Sequence, residues 1–205
     1  MKIHLCKIMP LSLVLVGLVI AGAGVASAQD VYQVNYFDIN APVLGGLPVP
    51  DGTVRISNPG LTYGNLCAMI YVYDANQELS ECCGCVVTHN GLLKLSVRRN
   101  LTSNPLTGVV PFSGTIKVVS ASPNNTPCDP TGNVTPKPNL RVWATHIQNG
   151  ERFGTFPLVW PTTETESLDS TLSAAELSAL QAQCSFINVL GSGAGVCSCG
   201  SGGLG

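Results

Sequence analysis

Eight cysteines lie beyond a leader-like N-terminus, and they constrain this chain more than any other feature: Cys67, Cys82, Cys83, Cys85, Cys128, Cys184, Cys197 and Cys199. A ninth, Cys6, falls in residues 1–28, which read as a secretory signal peptide. Lys2 and Lys7 precede an apolar run from Leu11 to about Ala21, and small residues end in Ala26-Ser27-Ala28. The competing use of that run is an uncleaved anchor, which would need ~20 apolar residues. Cys6 precedes the apolar run and so is not a lipidation site. Cleavage after Ala28 leaves Gln29 first and an even number of cysteines. In an oxidising compartment that parity predicts up to four disulfides, whose connectivity spacing alone does not fix.

Local patterning narrows the pairing. Leu66–Tyr73 reads as a buried strand, Asp74-Ala-Asn-Gln77 supplies turn residues, and the chain returns through Glu78 to Cys85. A turn centred between Ala75 and Asn76 puts Cys67 opposite Gly84, so a bond from Cys67 to Cys83 or Cys85 is the expectation. Cys82 and Cys83 are neighbours and are expected to reach different partners. Cys197-Ser-Cys199, in the Gly-rich tail Gly191–Gly205, offers such partners. A thiolate metal site is the alternative: Cys82 and Cys85 have the C-x2-C spacing of a structural zinc site, but no second C-x2-C pair accompanies them. No βαβ pattern surrounds any cysteine, as it would a thioredoxin-like redox pair. No metal or cofactor is therefore expected.

Strand candidates are Val31–Phe37, Thr53–Ser57, Leu66–Tyr73, Val86–Thr88, Leu92–Arg98, Thr115–Ser120, Leu140–Gln148 and Thr155–Trp160. Turn chemistry separates them at Asn58-Pro-Gly60, Asn90-Gly91, Asn104-Pro105, Ser122-Pro-Asn-Asn125, Asp129-Pro-Thr-Gly132 and Asn149-Gly150. The pattern predicts a mainly β fold, an antiparallel sandwich of Ig-like or jelly-roll-like type. One C-terminal helix is expected: Ser173-Ala-Ala-Glu176 forms a capping box, Leu172 and Leu177 a staple, and Leu177, Leu180, Cys184 and Ile187 share a face. It follows Thr162–Ser167, read as an acidic connector, and is expected to cover an open end or edge of the sheet. The organisation is then leader 1–28, N-terminal strand and Pro/Gly-rich linker 29–52, sandwich body 53–161, and connector, helix and disulfide-tied tail 162–205 within the same domain.

The 205 residues carry a formal charge of −2 and only 11% charged residues, which argues against nucleic-acid binding and against a charged disordered chain. Catalytic signatures are scarce. His89 sits in a turn, and His146 shares a strand face with Leu140, Val142 and Ala144, as a buried histidine would. Neither belongs to H-E-x-x-H, and no G-x-S-x-G occurs. Gly200-Ser-Gly-Gly203 shares letters with a protease nucleophile loop but has no preceding aspartate and only two residues after it. Asp74, Glu78, Glu81 and Asp129 would have to converge to act as a carboxylate pair. Asp74-x-Asn76-x-Glu78 opens like a calcium loop, yet Leu79 stands where glycine is needed. Trp143 and Trp160 are expected in the core rather than as a carbohydrate-stacking platform. The layout of a first strand followed by a Pro/Gly-rich spacer suits strand addition between subunits, with Tyr32, Val34 and Tyr36 filling a neighbour's pockets. An ordinary first strand of the same sheet is the expected reading, and strand addition is its alternative.

Asn65-Leu-Cys-Ala-Met-Ile-Tyr-Val-Tyr-Asp74, Glu78-Leu-Ser-Glu-Cys-Cys-Gly-Cys85, Asn90-Gly-Leu92, Leu101–Gly108, Gly114–Val119, Trp143-Ala-Thr-His146 and the closing Cys-Ser-Cys together resemble a family of secreted, cysteine-containing proteins of soil acidobacteria. The resemblance implies export from a bacterial cell and carries no activity. The expectation is an exported, disulfide-stabilised structural or interaction module at the cell surface or outside it. It would not be held by a membrane after leader removal, and would form a homo-oligomer or filament through its N-terminal strand, or take a carbohydrate or surface polymer as partner. A secreted hydrolase or carbohydrate-active enzyme using a carboxylate pair is the alternative.

Overall fold

The computed structural model describes residues 31–39, 51–123, 127–132, 134–147 and 161–200. The leader, the linker through Pro50, the Asn149-Gly150 turn and the expected strand Thr155–Trp160 lie outside them, as do parts of the 122–125 turn and of the tail. The described strands are β1 (Tyr32–Asp38), β2 (Thr53–Ser57), β3 (Leu66–Asp74), β4 (Leu79–Val87), β5 (Leu92–Ser96), β6 (Ser113–Ala121), β7 (Arg141–Ile147), β8 (Thr162–Glu166) and β9 (Leu168–Asp169), followed by helix α1 (Ala174–Leu190). All ladders between them are antiparallel. One sheet has the order β4-β3-β6-β1-β9, the other β5-β2-β7-β8, and the chain changes sheet at Ser167.

The two sheets enclose one apolar core, and α1 lies over the outer face of the five-stranded sheet to form a second. This explains why β3 is buried along nearly its whole length. Leu66, Ala68, Ile70 and Val72 enter the inter-sheet core, while Cys67, Met69, Tyr71 and Tyr73 join Leu180 and Cys184 beneath the helix. In β2, by contrast, only Val54 and Ile56 are buried, and Thr53, Arg55 and Ser57 face outward from an uncovered sheet. The expected edge-covering helix is thus corrected: α1 covers a face, because the apolar side chains of β3 alternate to both sides and the outer set also needs a cover. Ser173 caps α1 by accepting the Glu176 N–H at 3.0 Å. The Glu176 carboxylate does not close the box; it accepts from Tyr32 Oη and Lys117 Nζ, each at 2.8 Å, and pins the helix to β1 and β6.

The hairpin register also differs from expectation. Cys67 faces Val86 and Met69 faces Gly84, with a bulge between Val72 and Tyr73. The bond from Cys67 to Cys83 or Cys85 does not form; Cys67 pairs with Cys128. Strand alternation forbids the expected bond in either register, because Cys83 and Cys85 point to the face opposite Cys67. The remaining bonds are Cys82–Cys184, Cys83–Cys197 and Cys85–Cys199. Cys82 thus faces the helix while Cys83 and Cys85 take the tail, which runs parallel to β4 through a Cys82–Val196 bridge. Gly84 is required between them: a Cβ there would stand 2.0 Å from the Cys128 carbonyl oxygen.

Two elements were not legible as structure in the sequence. The supposed connector Thr162–Ser167 forms β8, polar because it is an exposed edge, and leads into the short edge strand β9. The expected strand Leu92–Arg98 stops at Ser96, where Asn100 Oδ1 accepts the Ser96 N–H at 2.8 Å and a π-helical turn, Val97–Leu101, begins.

Gly84→Ala is expected to lower stability by about 1–3 kcal/mol, as overpacking does, because the new methyl meets backbone rather than a movable side chain. Urea denaturation reads it. Replacing Cys83 and Cys197 together by Ser should cost about 2–4 kcal/mol through loss of a cross-link that closes a loop of 114 residues.

Candidate functional site

A concavity of about 1150 Å³ lies where the β3–β4 hairpin, the loop 106–113 and α1 meet. Its apolar lining includes Leu79, Leu106, Val109, Val110, Phe112 and Phe186. Val109 is 72% exposed, Phe112 53% and Phe186 61%, so this is an open groove rather than a closed cavity. Asp74 and Glu78 stand on the hairpin rim with Asn76 and Gln77, and Gln183 lines the helix side.

Each wall is anchored. The Leu106 N–H donates to the Ser80 carbonyl at 3.1 Å, and the Ile39 N–H to the Phe112 carbonyl at 2.8 Å, so the loop is tied to β4 at one end and to the segment after β1 at the other. Cys184, bonded to Cys82, fixes α1 one residue after Gln183 and two before Phe186. Asn104 ties the loop to the tail as well, donating through Nδ2 to the Gly193 carbonyl at 2.7 Å and accepting the Gly195 N–H at 2.6 Å. Arg98 approaches the Phe112 ring at 6.0 Å.

Glu81 lies under this loop, fully buried. Its Oε1 accepts the Asn104 N–H at 2.8 Å, while Oε2 has no hydrogen-bond partner. Burial pushes the carboxyl up to about 7, against a smaller downward pull from the Asn104 N–H.

Of the four carboxylates read from the sequence, Asp74 and Glu78 share the hairpin turn, and Glu81 and Asp129 lie elsewhere. Asp74 Oδ1 accepts the Asn76 and Glu78 N–H groups, both at 2.9 Å, closing a turn in which Gln77 has φ 68°. Asp129 accepts the Thr131 N–H at 2.8 Å in another loop. Glu81 is buried apart from both. The calcium-like spacing is therefore turn chemistry. Among the described residues no cluster of three or more His, Cys, Asp or Glu is arranged to hold a metal ion, and all eight described cysteines are in disulfides.

His89 is exposed beside Asn90, with Tyr63 5.7 Å away in a tilted ring contact. His146 is buried, bonded through Nε2 to Thr165 Oγ1 at 2.7 Å and stacked on Tyr36 at 3.6 Å; burial holds its imidazole below the usual range. Tyr32, Val34 and Tyr36 do not share one environment. Tyr32 lies in the core beneath α1, Val34 packs half-buried against it, and Tyr36 stacks over His146 at the seam of the sheets. Their strand pairs along its whole length with β6 of the same chain and with β9 at Gln33 and Val34.

Trp143 departs from its expected core position. Its neighbours Val142 and Ala144 are buried between the sheets, and strand alternation turns Trp143, half-buried, to the outer face of the four-stranded sheet. There it borders a depression of about 490 Å³ with Arg55, Leu92 and Glu164. Trp160 lies outside the described residues.

The raised Glu81 carboxyl fixes a sign for pH dependence. The folded chain holds a proton that the unfolded chain, titrating near 4.5, releases, so the contribution is full below about pH 4.5 and is lost as pH rises through about 7. Glu81→Gln keeps an acceptor for Asn104 and removes the titration. It should flatten the urea midpoint across this window and gain on the order of 2–3 kcal/mol over the unsubstituted chain at pH 8. Equal pH slopes in the two proteins would refute this assignment. No protein-family model matches the chain, and neither the curated proteins nor the solved structures yield a match.

Proposed function

We propose that the protein is an exported interaction module whose disulfide-locked sandwich presents the groove between the hairpin, the 106–113 loop and α1 to a peptide segment of a partner. The observation that carries this reading is the anchoring of an exposed apolar surface on all sides. A monomer that leaves Val109, Phe112 and Phe186 in water gains by covering them, and walls already fixed by Cys82–Cys184 and by backbone bonds lose little freedom when they do so. Asp74 and Glu78 on the rim favour a partner segment that carries basic residues beside its apolar ones.

Four disulfides support an oxidising location, and among the described residues no helix is long and apolar enough to cross a membrane. Of the four carboxylates only Asp74 and Glu78 share a surface, and Asp74 Oδ1 is taken up by the turn it closes, so the hydrolase alternative gains little from the geometry. Assembly through β1 would require the β6 register to form between copies, whereas each β1 already fills that register in its own chain. Light scattering of the oxidised protein at micromolar concentration decides this: a monomer removes the assembling form.

Export is read by fractionating the native host and counting thiols. Residues 1–28 should be missing from the recovered protein and eight cysteines blocked; a retained leader with free thiols inside the cell overturns the location. For the groove, a displayed library of random peptides should yield sequences combining apolar and basic residues, with Phe186→Ser and Val109→Asp each weakening them at least tenfold. Selection of no peptide, or binding untouched by both substitutions, overturns the interaction reading.

A further inference from the structure

The outer face of the four-stranded sheet, which no described helix or strand covers, carries a second arrangement of a different kind. Lys94, Arg55, Trp143 and Glu166 lie opposite one another across β5, β2, β7 and β8, forming one row on one face. At the usual strand spacing the row is about 14 Å long. Arg55 is ion-paired with Glu164, and Arg141 with Glu166 at 3.6 Å, so a guanidinium–carboxylate pair stands on either side of the indole. Leu92, 60% exposed, adds an apolar wall to the depression beside Trp143. Among the described residues, the ring-stacking and cation contacts go to other rings and none engages this indole.

A partly exposed indole on a sheet face, between planar donors and acceptors, fits a ligand with an apolar face and a polar rim. We infer that this face binds a glycan, one pyranose ring lying on Trp143 and its hydroxyls meeting Arg55, Glu164, Arg141 and Glu166. The C–H face of a pyranose is apolar and weakly positive, which matches the negative face of the indole. Hydroxyls both donate and accept, and the flanking pairs offer both functions: each guanidinium has five N–H donors, and each carboxylate has acceptor sites beyond those its partner takes. The ion pairs hold these groups in place before a ligand arrives. Glu164 and Glu166 oppose a polyphosphate chain here, so a nucleic acid does not fit. Lys94 makes no ion pair among the described residues and adds a cation at the end of the row. The same stacking chemistry therefore admits a neutral sugar polymer or one built from uronic acids, and the two arms of the test tell them apart.

The test is affinity electrophoresis of the oxidised full chain in native gels containing a soluble neutral β-glucan or polygalacturonate. Slowed migration in one of them is expected. Trp143→Thr, a substitution that suits a strand, should abolish the retardation with an unchanged melting temperature, and Trp143→Tyr should restore part of it. Arg55→Gln should weaken binding at least tenfold, and Lys94→Ala should weaken only polygalacturonate binding. Unretarded migration in both gels, or retardation that survives both Trp143→Thr and Arg55→Gln, overturns the inference. Phe186→Ser lies in the groove and should leave glycan retardation unchanged, so the fate of this face and that of the groove are read separately.

Discussion

Strand β4 is the edge to which most of the molecule is tied. Edge strands expose unpaired N–H and C=O groups that invite another strand, and natural sheets blunt them. Here Cys82, Cys83 and Cys85 do so covalently, drawing α1 to one face and the tail along the free edge. The Cys82 N–H donates to the Gly195 carbonyl at 2.9 Å, so the edge is partly paired as well as cross-linked. Without these bonds the tail has little apolar surface of its own to hold it: Cys197 is its chief entry into the inter-sheet core, with Cys199 packed against it. In the unfolded chain each link spans a long loop, which is where such bonds have their largest entropic effect.

Much of this organisation was legible because simple alternation governs it. Val54 and Ile56 mark β2, the unbroken run Leu66–Tyr73 marks a strand covered on both faces, and Ser173 marks the start of α1. What was not legible depended on partners distant in sequence. Thr162–Glu166 has no apolar alternation because one ladder partner is all it needs, and it gains that partner in β7. The fate of Trp143 turned on whether a third layer covers the second sheet, which no local pattern reports. The groove was missed for the same reason: Leu79, Val109 and Phe186 come from three separate segments, and only their convergence makes a surface.

The two candidate surfaces use opposite physics on opposite sides of the sandwich. The groove offers apolar area and a rigid rim, so covering it releases water from hydrocarbon. The open sheet face offers one large ring among charges already satisfied by each other, so a ligand there must exchange hydrogen bonds with water nearly one for one. A tight, selective contact suits the first, and a weak contact repeated along a polymer suits the second.

The connectivity of β4 also dictates an order of events during biosynthesis. A polypeptide emerging N-terminus first presents Cys67, Cys82, Cys83 and Cys85 long before Cys184, Cys197 and Cys199 exist to receive them, with intervals of 102 and 114 residues for the three bonds from β4. No native bond joins cysteines that are consecutive in the chain, so any pairing made early among the first four must later be undone. Undoing such a pair is an exchange reaction, in which a free thiolate attacks the wrong bond, and an oxidant alone does not perform it.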